Sequence, residues 1–298
     1  MLEAVERQIG HYIADLEDAD AAALYARLPA GKRLRARLIL TIAGNGGAAV
    51  KTAAVVEMIH AASLLHDDVI DDAFTRRGRP SINAIYGNKT SIMFGDVLYS
   101  KAFHELVDID RQVARVVSAA VVQLSLGERR DVLLSESFNR DRDAYLHMIY
   151  QKTASLIEAA SEAAALLAGK NREAYRTYGR NLGIAFQMID DILDITRSAE
   201  ELGKPAMHDY EEGKTTLPYI YLYEALDDEG RQRLLSMHGR PVTEESAAWI
   251  RGKMAETGAL ERAKDEAEEL VREAISLMER VGEPELEAMA RKMIEREY

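Results

Sequence analysis

The chain of 298 residues has no cysteine, which excludes disulfide bridges and thiolate chemistry and says little about compartment. Proline is scarce, at six residues, and no serine- or glycine-rich tract breaks the pattern. With no linker in view, residues 1–298 are expected to form a single domain. No apolar run reaches the roughly 18 residues of a membrane-spanning helix, and Met1-Leu2-Glu3 opens an acidic amphipathic segment, unlike a signal peptide. The expectation is a soluble cytoplasmic protein with no transmembrane segment. Positive charge is in deficit, with a formal net charge of −12, which argues against nucleic acid as a partner. Any anionic substrate must therefore be met by local cations or metal ions.

What is present is helical. At 47% hydrophobic the chain can bury a substantial core. Apolar residues recur at three- and four-residue spacing, as in Val55, Ile59 and Leu64 or Leu156, Ala160 and Ala164. No convincing alternating strand is found, so the chain reads as helices from end to end. Breaks fall at Pro29-Ala30-Gly31, Gly44 to Gly47, Arg77 to Pro80, Gly169 to Asn171, Gly203 to Pro205, Glu212 to Lys214 and Gly239 to Pro241.

Two pentads, Asp67-Asp68-Val69-Ile70-Asp71 and Asp190-Asp191-Ile192-Leu193-Asp194, interrupt otherwise apolar helical stretches. Carboxylates at i and i+4 share a helix face, where like charges cost roughly 0.2–0.5 kcal/mol per pair unless a cation neutralises them. Oxygen ligands without histidine or cysteine in the pentads favour Mg²⁺, which takes one or two protein carboxylates and completes its shell with water and phosphate oxygens. One diphosphate held by two acidic helices is the economical reading. His60, Ser63, Asp67 and Asp71 fall in one stripe; Gln187, Asp190, Asp191 and Asp194 share another face, with Phe186, Ile189 and Leu193 behind. The first cluster can also be read as helix caps, although one cap needs only one carboxylate. Arg76-Arg77 beside that pentad is suited to forked bonds with phosphate oxygens, or is a plain surface pair. Lys204 and Lys214 sit in glycine-punctuated turns, Lys152-Thr153 opens an alanine-rich helix, and Lys32-Arg33 follows Gly31 in a basic cluster ending at Arg35.

In this order and spacing, the motifs from about residue 28 to 220 closely resemble the trans-isoprenyl diphosphate synthases, or polyprenyl synthetases. The matching pieces are Gly31 to Arg33, His60 to His66 leading into the first pentad, Arg76 to Gly78, Gly95-Asp96, Lys152-Thr153, Gly183 to Gln187 leading into the second pentad, Gly203 to Pro205 and Glu212 to Pro218. The resemblance implies an all-α, antiparallel helical bundle around a deep central cavity, the type I isoprenoid synthase fold, usually as a homodimer. It implies three Mg²⁺ ions, two bound by Asp67 and Asp71 and the third by Asp190, with Asp68, Asp191 and Asp194 supporting. Arg76, Lys152, Thr153, Gln187, Lys204 and Lys214 would hold the allylic diphosphate. Lys32, Arg33, His60 and Arg77 would hold isopentenyl diphosphate. One departure stands out: Met207 occupies a position where the family commonly has glycine.

The implied chemistry is ionisation of the allylic diphosphate, condensation with the isopentenyl double bond, and loss of a proton. A class I terpene cyclase would need no second diphosphate site, and a non-catalytic partner subunit would have lost motif residues. A short-chain farnesyl or geranylgeranyl diphosphate synthase is the alternative within the family. About one turn before Asp67 stand Ala62 and Ser63, both small, where a bulky side chain would act as a floor for the growing product. Together with the stretch Gly95 to Phe103, they suggest a long-chain enzyme making C30–C40 products for quinone side chains.

Overall fold

The computed structural model of the protein describes residues 1–29, 31–196 and 207–294. Lys204 and its Gly203-Lys204-Pro205 turn lie outside the described residues. In chain order the elements are α1 (Leu2–Ala14), α2 (Ala19–Arg27), α3 (Leu34–Ala43), α4 (Gly47–Ile70), β1 (Thr75–Arg76), β2 (Arg79–Pro80), α5 (Ile82–Tyr86), α6 (Asn88–Val107), α7 (Arg111–Ser135), α8 (Arg142–Ile149) and a π-helical turn (Tyr150–Ala154). There follow α9 (Ser155–Ala168), α10 (Arg172–Thr196), α11 (His208–Glu211), α12 (Leu217–Ala225), α13 (Asp228–Met237), α14 (Glu244–Thr257), α15 (Ala259–Val281) and α16 (Pro284–Ile294). The all-α expectation holds, with one exception among the described residues: β1 and β2 form an antiparallel two-residue ladder, too short to leave an alternating pattern in the sequence.

By packing, the chain divides into two compact units, one of Met1–Val122 and Leu156–Arg176, the other of Gln123–Ser155 and Thr177–Tyr298. The core of the first unit contains Val5 and Ile9 of α1, Leu38 and Ile39 of α3, Val55, Met58 and Ile59 of α4, Leu98 of α6 and Ile157 of α9, all fully buried. Burying each large aliphatic side chain contributes about 1.5–3 kcal/mol. α4 contributes 24 residues to this unit. By length and apolar composition it could cross a membrane, but 67% of its most apolar stretch is buried inside the protein. Its packing against α6 depends on Gly95, where an added Cβ would lie 2.4 Å from His66 Nε2.

In the second unit Tyr178, Leu182, Ile192, Tyr210, Tyr219, Leu222, Val271 and Met278 are buried. The Tyr210 and Tyr219 rings stack at 4.2 Å, and Tyr178 donates its hydroxyl to the Leu286 carbonyl of α16 at 2.8 Å. Helix starts are fixed by side-chain caps: Asp141 accepts the Asp143 and Ala144 N–H groups to open α8, and Asp227 accepts Gly230 N–H to open α13.

Candidate active site

In the first unit, α4 ends inside its own aspartate motif. Asp71 is the C-terminal cap, and its N–H donates to the Asp67 carbonyl at 2.8 Å. Asp68 faces elsewhere. It is buried and accepts Arg76 Nε at 2.6 Å, while its carbonyl accepts Asn83 Nδ2 at 2.9 Å. Burial pushes the Asp68 carboxyl up, and Arg76 offsets only part of that. Asp68 thus fixes the hairpin that carries Arg76 and Arg77. Arg77 and Gly78 both have positive φ (51° and 71°), as a tight hairpin turn demands, and left-handed backbone costs a non-glycine residue about 1–2 kcal/mol. Asp72 and Arg33 share that conformation, so three strained residues lie around this site.

The hairpin brings Arg77 to Gly31: a Cβ on Gly31 would lie 2.9 Å from Arg77 Nη1, which donates to the Pro29 carbonyl at 3.3 Å. Arg33 caps α3 and is engaged by Glu6 of α1 through two bonds of 2.6 and 3.1 Å, and by Glu57 of α4 at 3.4 Å. Lys32 is exposed. Arg35, a residue to which the motif reading gave no role, has its Nε buried without a hydrogen-bond partner, and burial lowers its affinity for a proton against the pull of Glu57. Glu57 is itself buried and accepts Ala36 N–H at 2.9 Å. His60 keeps some accessible surface, yet it is enclosed deeply enough that burial dominates, followed by the charges of Arg35, Arg77, Arg76 and Arg33; its imidazole is held neutral, well below the ordinary histidine range. Among the described contacts, four arginines and Lys32 face three carboxylates, Glu6, Glu57 and Asp68, that pair with Arg33 and Arg76. Such a surplus suits an anion. Ala62 and Ser63 lie on α4 between His60 and Asp67, both buried, with Ser63 Oγ donating to the His60 carbonyl at 2.9 Å.

The second unit carries the other group. Lys152 and Thr153 stand on the π-helical turn, a local widening frequently found at functional sites. A relay runs from Thr153 Oγ1 to Gln187 Oε1 (2.8 Å) and from Gln187 Nε2 to Asp191 Oδ1 (2.8 Å), and the Tyr145 hydroxyl donates to Asp191 Oδ2 (2.6 Å). Both oxygens of Asp191 are thus engaged. Burial, then Asp209 and Asp190, pushes its carboxyl well above the carboxylate range, against the pull of Tyr145 and Gln187. Asp190, by contrast, is exposed. Asp194 anchors the returning chain: its carbonyl accepts Met207 N–H at 2.8 Å and its Oδ2 accepts Asp209 N–H at 3.2 Å. Met207 is fully buried with φ 59°, so it adopts the left-handed backbone that glycine takes without strain. Lys214 pairs with Glu212 at 2.8 Å. Although burial raises the Glu212 carboxyl, His208 and Lys214 bring it down to about 2.

The crowding of Asp190, Asp191 and Asp209 is a state that a divalent cation relieves, and an all-oxygen donor set suits a hard one. Among the described residues no three acidic or histidine side chains converge on a ready-made metal cage. Asp67 and Asp71 in the first unit and Asp190 in the second are carboxylate donors of the kind a hard cation takes together with water and substrate oxygens.

The described residues thus place a cationic cluster beside one aspartate motif and, beside the other, Lys152 with a Thr153–Gln187–Asp191 relay, groups suited to binding a diphosphate. Residues 18–251 match the family model for polyprenyl synthetase. The chain is 36% identical over 251 residues to the short chain isoprenyl diphosphate synthase of Methanothermobacter thermautotrophicus, covering 80% of this chain and 77% of that one. It is 38% identical over 249 residues to the all-trans-nonaprenyl-diphosphate synthase (geranyl-diphosphate specific) of Rhodobacter capsulatus, with the same coverage. The crystal structure of octaprenyl pyrophosphate synthase from Helicobacter pylori superposes with a TM-score of 0.94 at 39% identity, covering 99% of this chain and 98% of that one. The chain belongs to the polyprenyl synthetase family and is a prenyltransferase.

Proposed function

We propose that the protein is a Mg²⁺-dependent trans-polyprenyl diphosphate synthase that condenses isopentenyl diphosphate with an allylic diphosphate and makes long-chain products of C30–C40. The observation that carries this reading is the cationic cluster of the first unit. A cyclase ionises one diphosphate and needs no such cluster, whereas an elongase must hold a second. In that cluster Lys32, Arg35, Arg77 and neutral His60 bind isopentenyl diphosphate, with Arg33 acting through its ties to Glu6 and Glu57. Lys152, Thr153, Gln187, Lys214 and Arg76 hold the allylic diphosphate; Lys204 is assigned the same role from its motif.

Asp67, Asp71 and Asp190 are the residues to hold Mg²⁺, three ions by family likeness, which when bound would neutralise charge on the departing diphosphate. As the allylic carbon–oxygen bond breaks, its electron pair stays on the diphosphate, and Lys152 and Thr153 donate hydrogen bonds that stabilise the negative charge growing on its oxygens. The isopentenyl double bond attacks the allyl cation, and the proton lost next passes to a diphosphate oxygen. Ala62 and Ser63 leave room for a long tail, and the likeness to an octaprenyl (C40) and a nonaprenyl (C45) synthase favours a long product over the short-chain alternative. We also infer a homodimer, supported by the exposed Ile92 and Met93 of α6 and Val122 of α7, and a cytoplasmic location, supported by the burial of apolar α4 within its unit.

Purified protein given labelled isopentenyl diphosphate, an allylic starter and Mg²⁺ should yield products longer than C20, and chelator should abolish turnover until Mg²⁺ is restored. Incorporation undiminished by chelator would refute the metal assignment; products ending at C15 or C20 would refute the length.

A further inference from the structure

Lys152 is not displayed on a bare helix face. Its ammonium lies 2.6 Å from Asp131 Oδ2, aligned as a hydrogen bond, and 2.9 Å from Glu128 Oε2, an ion-pair contact that departs from hydrogen-bond alignment. Both carboxylates come from α7 and both residues are buried, at 6% and 8% exposure. Glu128 Oε1 is buried with no hydrogen-bond partner. The contact exists because Gly127 allows α7 to touch the backbone of the π-helical turn, where a Cβ would lie 2.3 Å from Lys152 N. Two buried carboxylates against one ammonium are costly to desolvate and return little as stability, so their presence calls for another use.

A lysine head group on four rotatable carbons is a poorly ordered ligand, and ordering it during the reaction lowers the rate. Held by two carboxylates on a separate helix, the ammonium is already placed when substrate arrives. We propose that Glu128 and Asp131 are positioning residues for the reaction, fixing the Lys152 ammonium where the allylic diphosphate leaves. The proposal rests on the reading of Lys152 as a ligand of that diphosphate. Charge on the leaving group grows as the carbon–oxygen bond breaks, so a misplaced ammonium is felt more in the transition state than in the bound substrate. The loss should appear in kcat and spare the KM for isopentenyl diphosphate.

The test measures kcat and both KM values for the full chain with Asp131→Asn, Glu128→Gln, Lys152→Ala and the Lys152→Ala/Asp131→Asn pair, with thermal melts to check folding. Asp131→Asn should lower kcat about tenfold or more and change the isopentenyl KM less than about twofold. On the Lys152→Ala background, Asp131→Asn should change kcat by less than about twofold, because the residue it positions is gone. An impaired Lys152→Ala alongside a near-normal Asp131→Asn would overturn the positioning role, as would two losses that multiply in the pair. A near-normal Lys152→Ala would overturn the reading of Lys152 itself. Should Asp131→Asn fail to fold, Glu128→Gln carries the same cycle with the same criteria.

Discussion

Gly127→Ala probes how closely two backbones must approach for this enzyme to work. The added Cβ would sit 2.3 Å from the Lys152 nitrogen and 2.7 Å from both Lys152 Cα and the Gln151 carbonyl carbon. None of these atoms ends a rotatable side chain. To restore ordinary contact near 3.5 Å, α7 and the π-helical turn must part by about an ångström. Within a helix the exchange alone would favour alanine by about 0.5–1 kcal/mol, whereas overpacking against backbone costs about 1–3 kcal/mol, here toward the upper end. The net loss of about 1–2 kcal/mol should lower Tm by roughly 2–8 °C. Displacing Lys152 and Thr153 by that ångström should lower turnover about 100-fold. Gly10→Ala in α1 is the matched control: its Cβ meets nothing within 4 Å, so the helix term acts alone and Tm should rise. Melting followed by far-UV circular dichroism, with steady-state assays on the same samples, decides the matter. If Gly127→Ala melts at or above the wild-type temperature, or both glycines shift Tm in the same direction, the steric reasoning is wrong.

Ala62→Phe should shorten the products, because a ring fills space the tail would occupy beneath Asp67, with an overpacking cost of about 1–3 kcal/mol; an unchanged chromatogram of dephosphorylated products would show that the tail passes elsewhere. Arg35→Ala should raise the KM for isopentenyl diphosphate at least about tenfold and more than Arg33→Ala does, since Glu6 already engages Arg33. The reverse order in KM would return Arg33 to direct contact. His60 is held neutral in the fold, below its unfolded value of 6.5, so its contribution to stability is complete above that value and is lost as pH falls below it toward the folded pKa. His60→Gln should flatten the fall in unfolding free energy between pH 6.5 and about 5 by up to about 1.4 kcal/mol per pH unit. Parallel curves for variant and wild type would contradict the buried, neutral state.

The helices and the aspartate pentads were legible in the sequence because both follow local rules: a 3.6-residue period and carboxylates four apart. The described breaks at Gly44, Gly169 and Gly239 fall at helix ends, but nothing in the sequence flagged the interruption between Ser135 and Asp141, which lacks glycine and proline. The roles of Arg35, Glu57, Glu128, Asp131, Tyr145 and Asp209 were not legible. Each is an ordinary polar residue in the sequence, and its importance comes from a partner distant along the chain, as with Tyr145 and Asp191 or Asp131 and Lys152. Burial decides the rest. Asp190 and Asp191 are neighbours of identical chemistry, yet one is exposed and the other spends both oxygens holding Tyr145 and Gln187.

The two-pronged grip of Glu6 on Arg33 has a consequence for anyone cutting this protein down. Glu6 precedes the family match, which begins at residue 18, and Glu266, which engages Arg142 and Tyr221 in the second unit, follows its end at residue 251. A fragment trimmed to the recognisable region would keep every motif aspartate and lysine, yet lose the brace on Arg33 in the first unit and the partner of Arg142 and Tyr221 in the second. The boundary of family likeness and the boundary of the working machine are different lines, and expression clones, fusion tags and transplanted domains should respect the second.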